Sequence, residues 1–159
     1  MRKHQKGFSL IELLIVVAII LIIAAIAIPN LLRSRMAANE ASAVGSLRTI
    51  NTAEVTYATT YPTIGFAALT ALGGTAPCTS ATSTSACLLD DVLSASAATK
   101  SGYLFTVTPG TQTPVVTYSS TATPTAIGQS GQRGFYSDQS GVIRYTTDGT
   151  APTNASPAL

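Results

Sequence analysis

Hydrophobic residues are concentrated near the start of the chain, in an almost unbroken run from Phe8 to Ile28. As an α-helix, this run of 21 residues (positions 8 to 28) would measure about 32 Å, which matches the roughly 30 Å hydrocarbon core of a bilayer. A single carboxylate, Glu12, interrupts the run, and a charge inside hydrocarbon costs about 3 kcal/mol or more. The pattern predicts a membrane-spanning helix over residues 8–28, in which Glu12 needs a partner for its charge.

The pattern becomes amphipathic after Pro29. Apolar residues then recur at spacings of three or four, which predicts that the helix continues over residues 29–61 and ends before Pro62. The predicted apolar face consists of Ala37, Ala41, Val44, Leu47, Ile50, Ala53, Tyr57 and Tyr61. The polar remainder consists of Asn39, Glu40, Ser42, Ser46, Arg48, Asn51 and Glu54. We therefore expect one face of this half to lie on a globular partner, rather than in a free coiled coil with sustained leucine heptads.

The rest of the chain reads as a loop region followed by short strands. Residues 62–102 form a predicted variable αβ-loop with two helical candidates, residues 65–74 and 88–97. The predicted strands are residues 103–108, 115–119, 134–137 and 142–146. Together they predict an antiparallel β-sheet over residues 103–147, followed by a weakly ordered tail, 148–159. The fold class is α+β, with a long N-terminal helical spine on a small C-terminal sheet.

Charge is also distributed unevenly. The chain has nine Lys and Arg against seven Asp and Glu, but Arg2, Lys3 and Lys6 precede the apolar run, which leaves 6 − 7 = −1 for the remainder. Such a remainder has no basic stripe for a phosphate backbone, so no specific nucleic-acid partner is expected. Basic residues before the span favour a cytoplasmic N-terminus, although Arg33 and Arg35 reduce the asymmetry.

Candidate chemistry is sparse. His4 is the only histidine and precedes the apolar run, and the acidic residues show no paired-carboxylate spacing, so an enzyme is not predicted. We predict no catalytic site, no metal and no cofactor. A calcium site would have to use Asp90, Asp91, Asp138 and Asp148, which do not have EF-hand spacing; a short helix and a turn explain Asp90, Asp91 and Asp138 better.

The two cysteines, Cys78 and Cys87, flank the Ser/Thr-rich stretch CTSATSTSAC. If the chain is exported, this spacing predicts a disulfide that closes a short loop; two free thiols are the alternative.

A conventional signal peptide is the competing interpretation of the N-terminus. RKHQK is a basic n-region and Ala25-Ile-Ala27 fits the small-residue cleavage rule, which would give a secreted or membrane-anchored binding domain that starts at Ile28 or at Met1. The unbroken apolar run from residue 13 to residue 28 is slightly longer than an ordinary h-region, and Glu12 would have no role in a discarded peptide.

The stretch KGFSLIELLIVVAIILIIAAIAIPN resembles the type III signal and first half-helix of type IV pilins and the related pseudopilins, over about 25 residues. The resemblance implies that a prepilin peptidase removes the leader, residues 1–7, by cutting between Gly7 and Phe8, and then N-methylates Phe8. It also implies that Glu12 neutralises the new amine of Phe8 on a neighbouring subunit. Pro29 matches the family. Leu21 stands where many members have glycine, so helix melting before Pro29 is not carried over.

The resemblance implies a structural subunit of a type IV pilus-like filament. Its partners would be copies of itself in a helical homopolymer, the prepilin peptidase, the membrane, and an inner-membrane assembly platform with its ATPase. The precursor would lie in a bacterial inner membrane, with the C-terminal domain outside, before joining a cell-surface filament. A pseudopilin of a type II secretion or DNA-uptake machine is the alternative with the same N-terminus.

Overall fold

The computed structural model describes residues 8–74 and 77–159. The predicted leader and Gly7 lie outside the described residues. The elements in chain order are α1 (Leu10–Thr60), α2 (Leu69–Leu72), β1 (Ala98–Lys100), β2 (Tyr103–Pro109), β3 (Tyr118–Pro124), β4 (Gly134–Asp138) and β5 (Arg144–Thr146). The predicted α+β class is confirmed. The chain divides into two compact units with the boundary between Arg35 and Met36, and α1 contributes residues to both.

The first unit is helical from Leu10 onward and has no globular core among its described residues. Pro29 lies inside α1, and the helix continues through it. Proline within a helix removes one backbone hydrogen bond and costs about 3 kcal/mol relative to alanine, so the strong helix formers around it must outweigh that cost.

The second unit has its core between one face of α1 and the sheet. The apolar part of that helix face recurs every three or four residues and consists of Ala43, Val44, Leu47, Ile50, Ala53 and Tyr57. From the sheet, Tyr103, Phe105, Ala122 and Phe135 pack in the same cluster. The amphipathic half of the helix is thus confirmed as the element on which the sheet packs.

The predicted faces of this half of α1 were partly wrong. Ala37 and Ala41 are exposed, whereas Glu40, Ser46 and Glu54 are buried. The buried stripe begins at Glu40, and within it Glu40 and Glu54 accept hydrogen bonds from loop residues, as described below. Helical spacing alone identified the buried face correctly from Val44 to Tyr57, where large apolar side chains mark it, but not at its N-terminal end.

The sheet is an antiparallel meander in the order β1-β2-β3-β4-β5. In β2, buried Tyr103 and Phe105 alternate with exposed Leu104 and Thr106, the two-residue period of a strand with one covered face. Phe105 pairs with Ala122 of β3, which in turn pairs with Phe135 of β4, so one row of core residues crosses three strands.

Strand boundaries were predicted less well. The predicted strand at residues 115–119 lies at 118–124, because β3 is rich in Ser, Thr and Ala and carries little apolar signal. Val115 instead forms an isolated parallel bridge with Gly65, after the end of α1. β1 was not predicted, since its three residues are too few for a pattern.

The two helical candidates in residues 62–102 were largely wrong. Only Leu69–Leu72 of the first is helical. The second, residues 88–97, forms turns in which the Asp90 carboxylate accepts a hydrogen bond from Leu93 N at 3.0 Å. Aspartate favours such local caps and turns over a helix interior.

The tail was predicted to be weakly ordered, and that prediction was wrong. Its last residues run beside β5: Tyr145 N donates to Pro157 O at 3.0 Å, and Leu159 N donates to Ile143 O at 2.9 Å. Pro152 is buried. The tail therefore covers the β5 edge of the sheet, which would otherwise present unpaired backbone groups.

Candidate assembly site

The apolar segment of α1 exposes its side chains on every side. The exposed large hydrophobic residues include nearly every Leu, Ile and Val between Leu10 and Leu32. Among the described residues, α1 is the helix long and apolar enough to cross a membrane, with a mean hydropathy of 3.3 over its best 18-residue window and none of that window buried. A secretory signal passes the same test of length and composition.

Phe8 and Glu12 lie at the same end of this helix. Phe8 is 79% exposed and stands two residues before the first residue of α1, and Glu12 occupies the first turn. A carboxylate in the first turn interacts favourably with the positive end of the helix dipole. Among the described residues, Glu12 takes part in none of the ion pairs. The charge partner that the sequence analysis requires is therefore not supplied by the described part of one chain.

Glu40, in the second unit, has the opposite environment. It accepts hydrogen bonds from Gln132 N (2.9 Å), Arg133 N (3.1 Å) and Arg133 Nε (2.8 Å). Burial by itself raises the pKa of Glu40, but these three donors outweigh it, so the pKa lies below its ordinary value. Asn39 adds a fourth tie, because its Nδ2 donates to Ser130 O at 2.8 Å.

The Arg133 guanidinium is also held by aromatic rings. Its Cζ lies 5.5 Å from the ring centre of Phe135 and 5.8 Å from that of Tyr145. Cation–π contacts at this range stabilise a guanidinium by about 0.5–1 kcal/mol at partly exposed sites. Glu40 and Arg133 therefore fasten the loop before β4 to α1.

Glu54 is a fully buried acidic residue, with 0% exposure. Its Oε2 accepts a hydrogen bond from Ala67 N at 3.0 Å, and its Oε1 has no partner among the described residues. Burial raises the pKa of Glu54 to about 7, and the Ala67 hydrogen bond lowers it only in part.

Sequence reasoning placed Glu40 and Glu54 on the polar side of the helix, so it missed both. A signal was present, because Glu54 follows Ile50 by four residues and precedes Tyr57 by three, and so falls on the apolar stripe. An acidic residue in phase with a core stripe indicates a buried carboxylate with a specific partner.

A disulfide closes the cysteine loop, and a hydrogen bond connects the loop to α1. Cys78 and Cys87 form a disulfide with their Cα atoms 6.0 Å apart. Within the loop, Thr82 pairs with Ser85. The Tyr57 hydroxyl donates to Ser83 O at 2.6 Å, which ties the loop to α1.

Three of the aspartates considered for calcium, Asp90, Asp138 and Asp148, make local contacts. Asp90 pairs with Lys100 at 3.2 Å, and the Asp138 carboxylate accepts from Ser140 N at 2.9 Å. Hydrogen bonds from Thr150 lower the pKa of Asp148. Over residues 8–74 and 77–159, the structure contains no group of three or more residues placed to hold a metal ion.

Comparison with known proteins identifies the N-terminal segment. Residues 2–28 match the model of the prokaryotic N-terminal methylation motif. The chain is 63% identical over 38 residues to the type IV wide pilus major component PilA4 of Thermus thermophilus, covering 24% of this chain and 29% of that protein. It is 46% identical over 54 residues to the type IV major pilin protein PilA of Myxococcus xanthus, covering 34% and 24% respectively.

These similarities cover less than a third of either relative's length, and no solved structure gives a significant match to the chain. The chain carries the methylation motif of type IV prepilins and is similar to type IV major pilins.

Proposed function

We propose that this protein is the structural subunit of a type IV pilus-like filament. The single observation that carries the proposal is an exposed apolar helical segment, with one carboxylate in its first turn, in the stretch that matches the methylation motif. Both relatives described above are named as major pilus components.

Cleavage between Gly7 and Phe8 would create a charge partner for Glu12, which has none among the described residues. A new α-amino group has a pKa near 8 and is largely cationic at neutral pH, and N-methylation leaves an amine that can still carry the charge. A cation at a helix N-terminus is unfavourable because the helix dipole is positive there. Pairing it with a carboxylate would offset this penalty and also that of an unpaired carboxylate in an apolar segment.

The carboxylate that would pair with the Phe8 amine is Glu12 of a neighbouring subunit. Opposite charges a few ångströms apart in a low-dielectric environment attract strongly, and a carboxylate left unpaired there is penalised. A new subunit would therefore be favoured at the axial position where its Phe8 amine meets Glu12 of its neighbour. Close packing of the Ile, Leu, Val and Ala side chains supplies the remaining attraction, because lipid gives no hydrophobic driving force between helices.

The finer assignments belong to the same proposal. A prepilin peptidase would remove residues 1–7 and methylate Phe8, and Pro29 would mark the end of the packed half-helix. An assembly platform with its ATPase would extract subunits from the inner membrane. The precursor would have a cytoplasmic N-terminus and an outer C-terminal domain, and the assembled protein would have no enzymatic role.

The N-terminal peptide tests the proposal directly. Mass spectrometry would be applied in parallel to the membrane fraction and to material sheared from the cell surface. We expect a methylated Phe8 terminus in both fractions. The same terminus found only in membranes would indicate a pseudopilin rather than a pilus subunit. A chain beginning at Ile28 or Met1 would contradict the filament proposal.

A further inference from the structure

Glu54 is held in a way that suits a neutral carboxylic acid better than a carboxylate. The side chain is fully buried, and one oxygen, Oε2, accepts a single hydrogen bond from Ala67 N at 3.0 Å. The other oxygen, Oε1, has no partner among the described residues. A carboxylate can accept about four hydrogen bonds, and a buried charge without such bonds costs far more than a buried neutral hydroxyl.

The groups facing Glu54 cannot compensate a negative charge. Tyr57 of α1 and Tyr118 of β3 are titratable groups that interact with Glu54. Burial is the largest cause that raises their pKa values; Tyr61 and then a charged Glu54 add to it for Tyr57, and a charged Glu54 and then Asp138 for Tyr118. Both hydroxyls donate elsewhere, Tyr57 to Ser83 O at 2.6 Å and Tyr118 to Asn51 Oδ1 at 3.0 Å. The ion pairs among the described residues do not include Glu54. Burial accordingly raises the pKa of Glu54 to about 7.

The residue that Glu54 holds belongs to a short segment, residues 64–67, that links the end of α1 to the sheet. Val115 N donates to Ile64 O at 2.7 Å, and Phe66 N donates to Val115 O at 3.0 Å. The Phe66 ring lies 4.7 Å from that of Tyr118 on β3. Glu54 thus provides a side-chain tie between α1 and a segment that is itself paired with the connection before β3.

We propose that Glu54 is a proton-binding group that holds segment 64–67 on α1 when it is protonated and releases the segment when it ionises. In the protonated form, Oε2 accepts the Ala67 hydrogen bond as a carbonyl oxygen and Oε1 carries the proton. In the ionised form, the carboxylate reaches water only if the segment moves off the helix. The end of α1 therefore responds to pH near neutrality, and this response does not depend on filament assembly.

Amide hydrogen exchange at Ala67 tests the proposal on the full-length chain in detergent micelles, with rates corrected for the intrinsic effect of pH. A folded-state pKa of about 7 against an ordinary value of 4.5 predicts that protection of Ala67 N falls on the order of fiftyfold between about pH 5 and about pH 8. In Glu54→Gln, the amide oxygen still accepts the hydrogen bond but cannot ionise, so protection should stay constant within about twofold.

Gln132 N provides the matched control, because it donates to Glu40, whose pKa is lowered. Its protection should not change over this pH range. Ala67 protection as constant as that of Gln132, or an equal fall in Glu54→Gln, would overturn the proposal. Should the variant fail to fold, the ¹³C chemical shift of the Glu54 carboxyl in the unmodified chain decides: a midpoint near 7 supports the proposal, and a midpoint at or below 4.5 refutes it.

Discussion

Residues 10–35 and residues 36–60 of α1 share one helical backbone but relate differently to the rest of the chain. In the first stretch, Leu, Ile and Val side chains are exposed in all directions; in the second, an apolar stripe on one face is buried in the core that includes the sheet. Helical geometry is the same in both stretches, so composition alone distinguishes a segment that packs within its own chain from one that needs lipid or other copies.

The acidic residues follow the same division. Glu12 has no ion-pair partner among the described residues, Glu40 has three donors, and Glu54 has one. The donors of an acidic residue on a helix are therefore informative. No ion-pair partner among the described residues fits a partner in another chain, several donors indicate a structural tie, and a single donor at a buried site fits a group that holds a proton.

The largest expected effect is on assembly. Glu12→Ala should insert and be cleaved normally but reduce sheared surface filaments by roughly a hundredfold or more, because the Phe8 amine then lacks its partner. Glu12→Gln, which keeps the size but not the charge, should behave in the same way. Immunoblots of sheared and membrane fractions would measure this, with Ser9→Ala as the control at the same helix end. Abundant normal filaments from Glu12→Ala would refute the assigned role.

The next largest effect is on stability. Glu40→Ala leaves two backbone N–H groups and the Arg133 guanidinium without their acceptor, so we expect a loss of about 2–3 kcal/mol, after discounting for the partial exposure of Arg133. Thermal unfolding in detergent would show a fall in Tm of about 5–10 °C. Because Glu12 lies in the stretch without a core, we expect Glu12→Ala to leave this Tm unchanged. An equal fall in Tm in the two variants would contradict the difference between residues 10–35 and residues 36–60.

Glu54→Gln should change the pH dependence of stability. Below the ordinary pKa of 4.5 both the folded and the unfolded chain hold the proton, so Glu54 imposes no penalty; as pH rises from 4.5 to about 7, only the unfolded chain releases it and stability falls. The penalty reaches about 3 kcal/mol above pH 7. Denaturant midpoints should therefore favour Glu54→Gln near pH 8 and converge with the unmodified chain near pH 4. A constant difference across this range would contradict the assignment.

The smallest effect concerns the cysteine loop. Tyr57→Phe keeps the buried ring but removes the hydroxyl that donates to Ser83 O, so we expect a loss of about 1 kcal/mol. Tyr61→Phe is the matched control, since its ring packs 4.8 Å from that of Tyr57 without a hydroxyl bond to the loop. Thermal unfolding of the two variants measures the difference, and indistinguishable Tm values would mean that the loop is held by its disulfide and backbone alone.

The sequence alone was sufficient to predict the long helix, its apolar segment and the α+β class. These features depend on composition and on a period of 3.6 residues sustained over many turns, and both are visible without tertiary contacts. Val44, Leu47, Ile50 and Tyr57 were assigned to the buried face for the same reason. The methylation motif is equally local, since it occupies one continuous stretch.

Only the tertiary structure decided the ends of the shorter elements and the environments of the buried acids. β3 consists largely of small polar residues whose strand conformation depends on pairing with β2 and β4, and the tail is ordered by backbone bonds to residues 143 and 145. Glu40 and Glu54 are the same residue type and are both buried on α1. Their different pKa values arise from donors contributed by residues 132 and 133 in one case and 67 in the other, and contacts at such chain separations leave no periodic trace in the sequence.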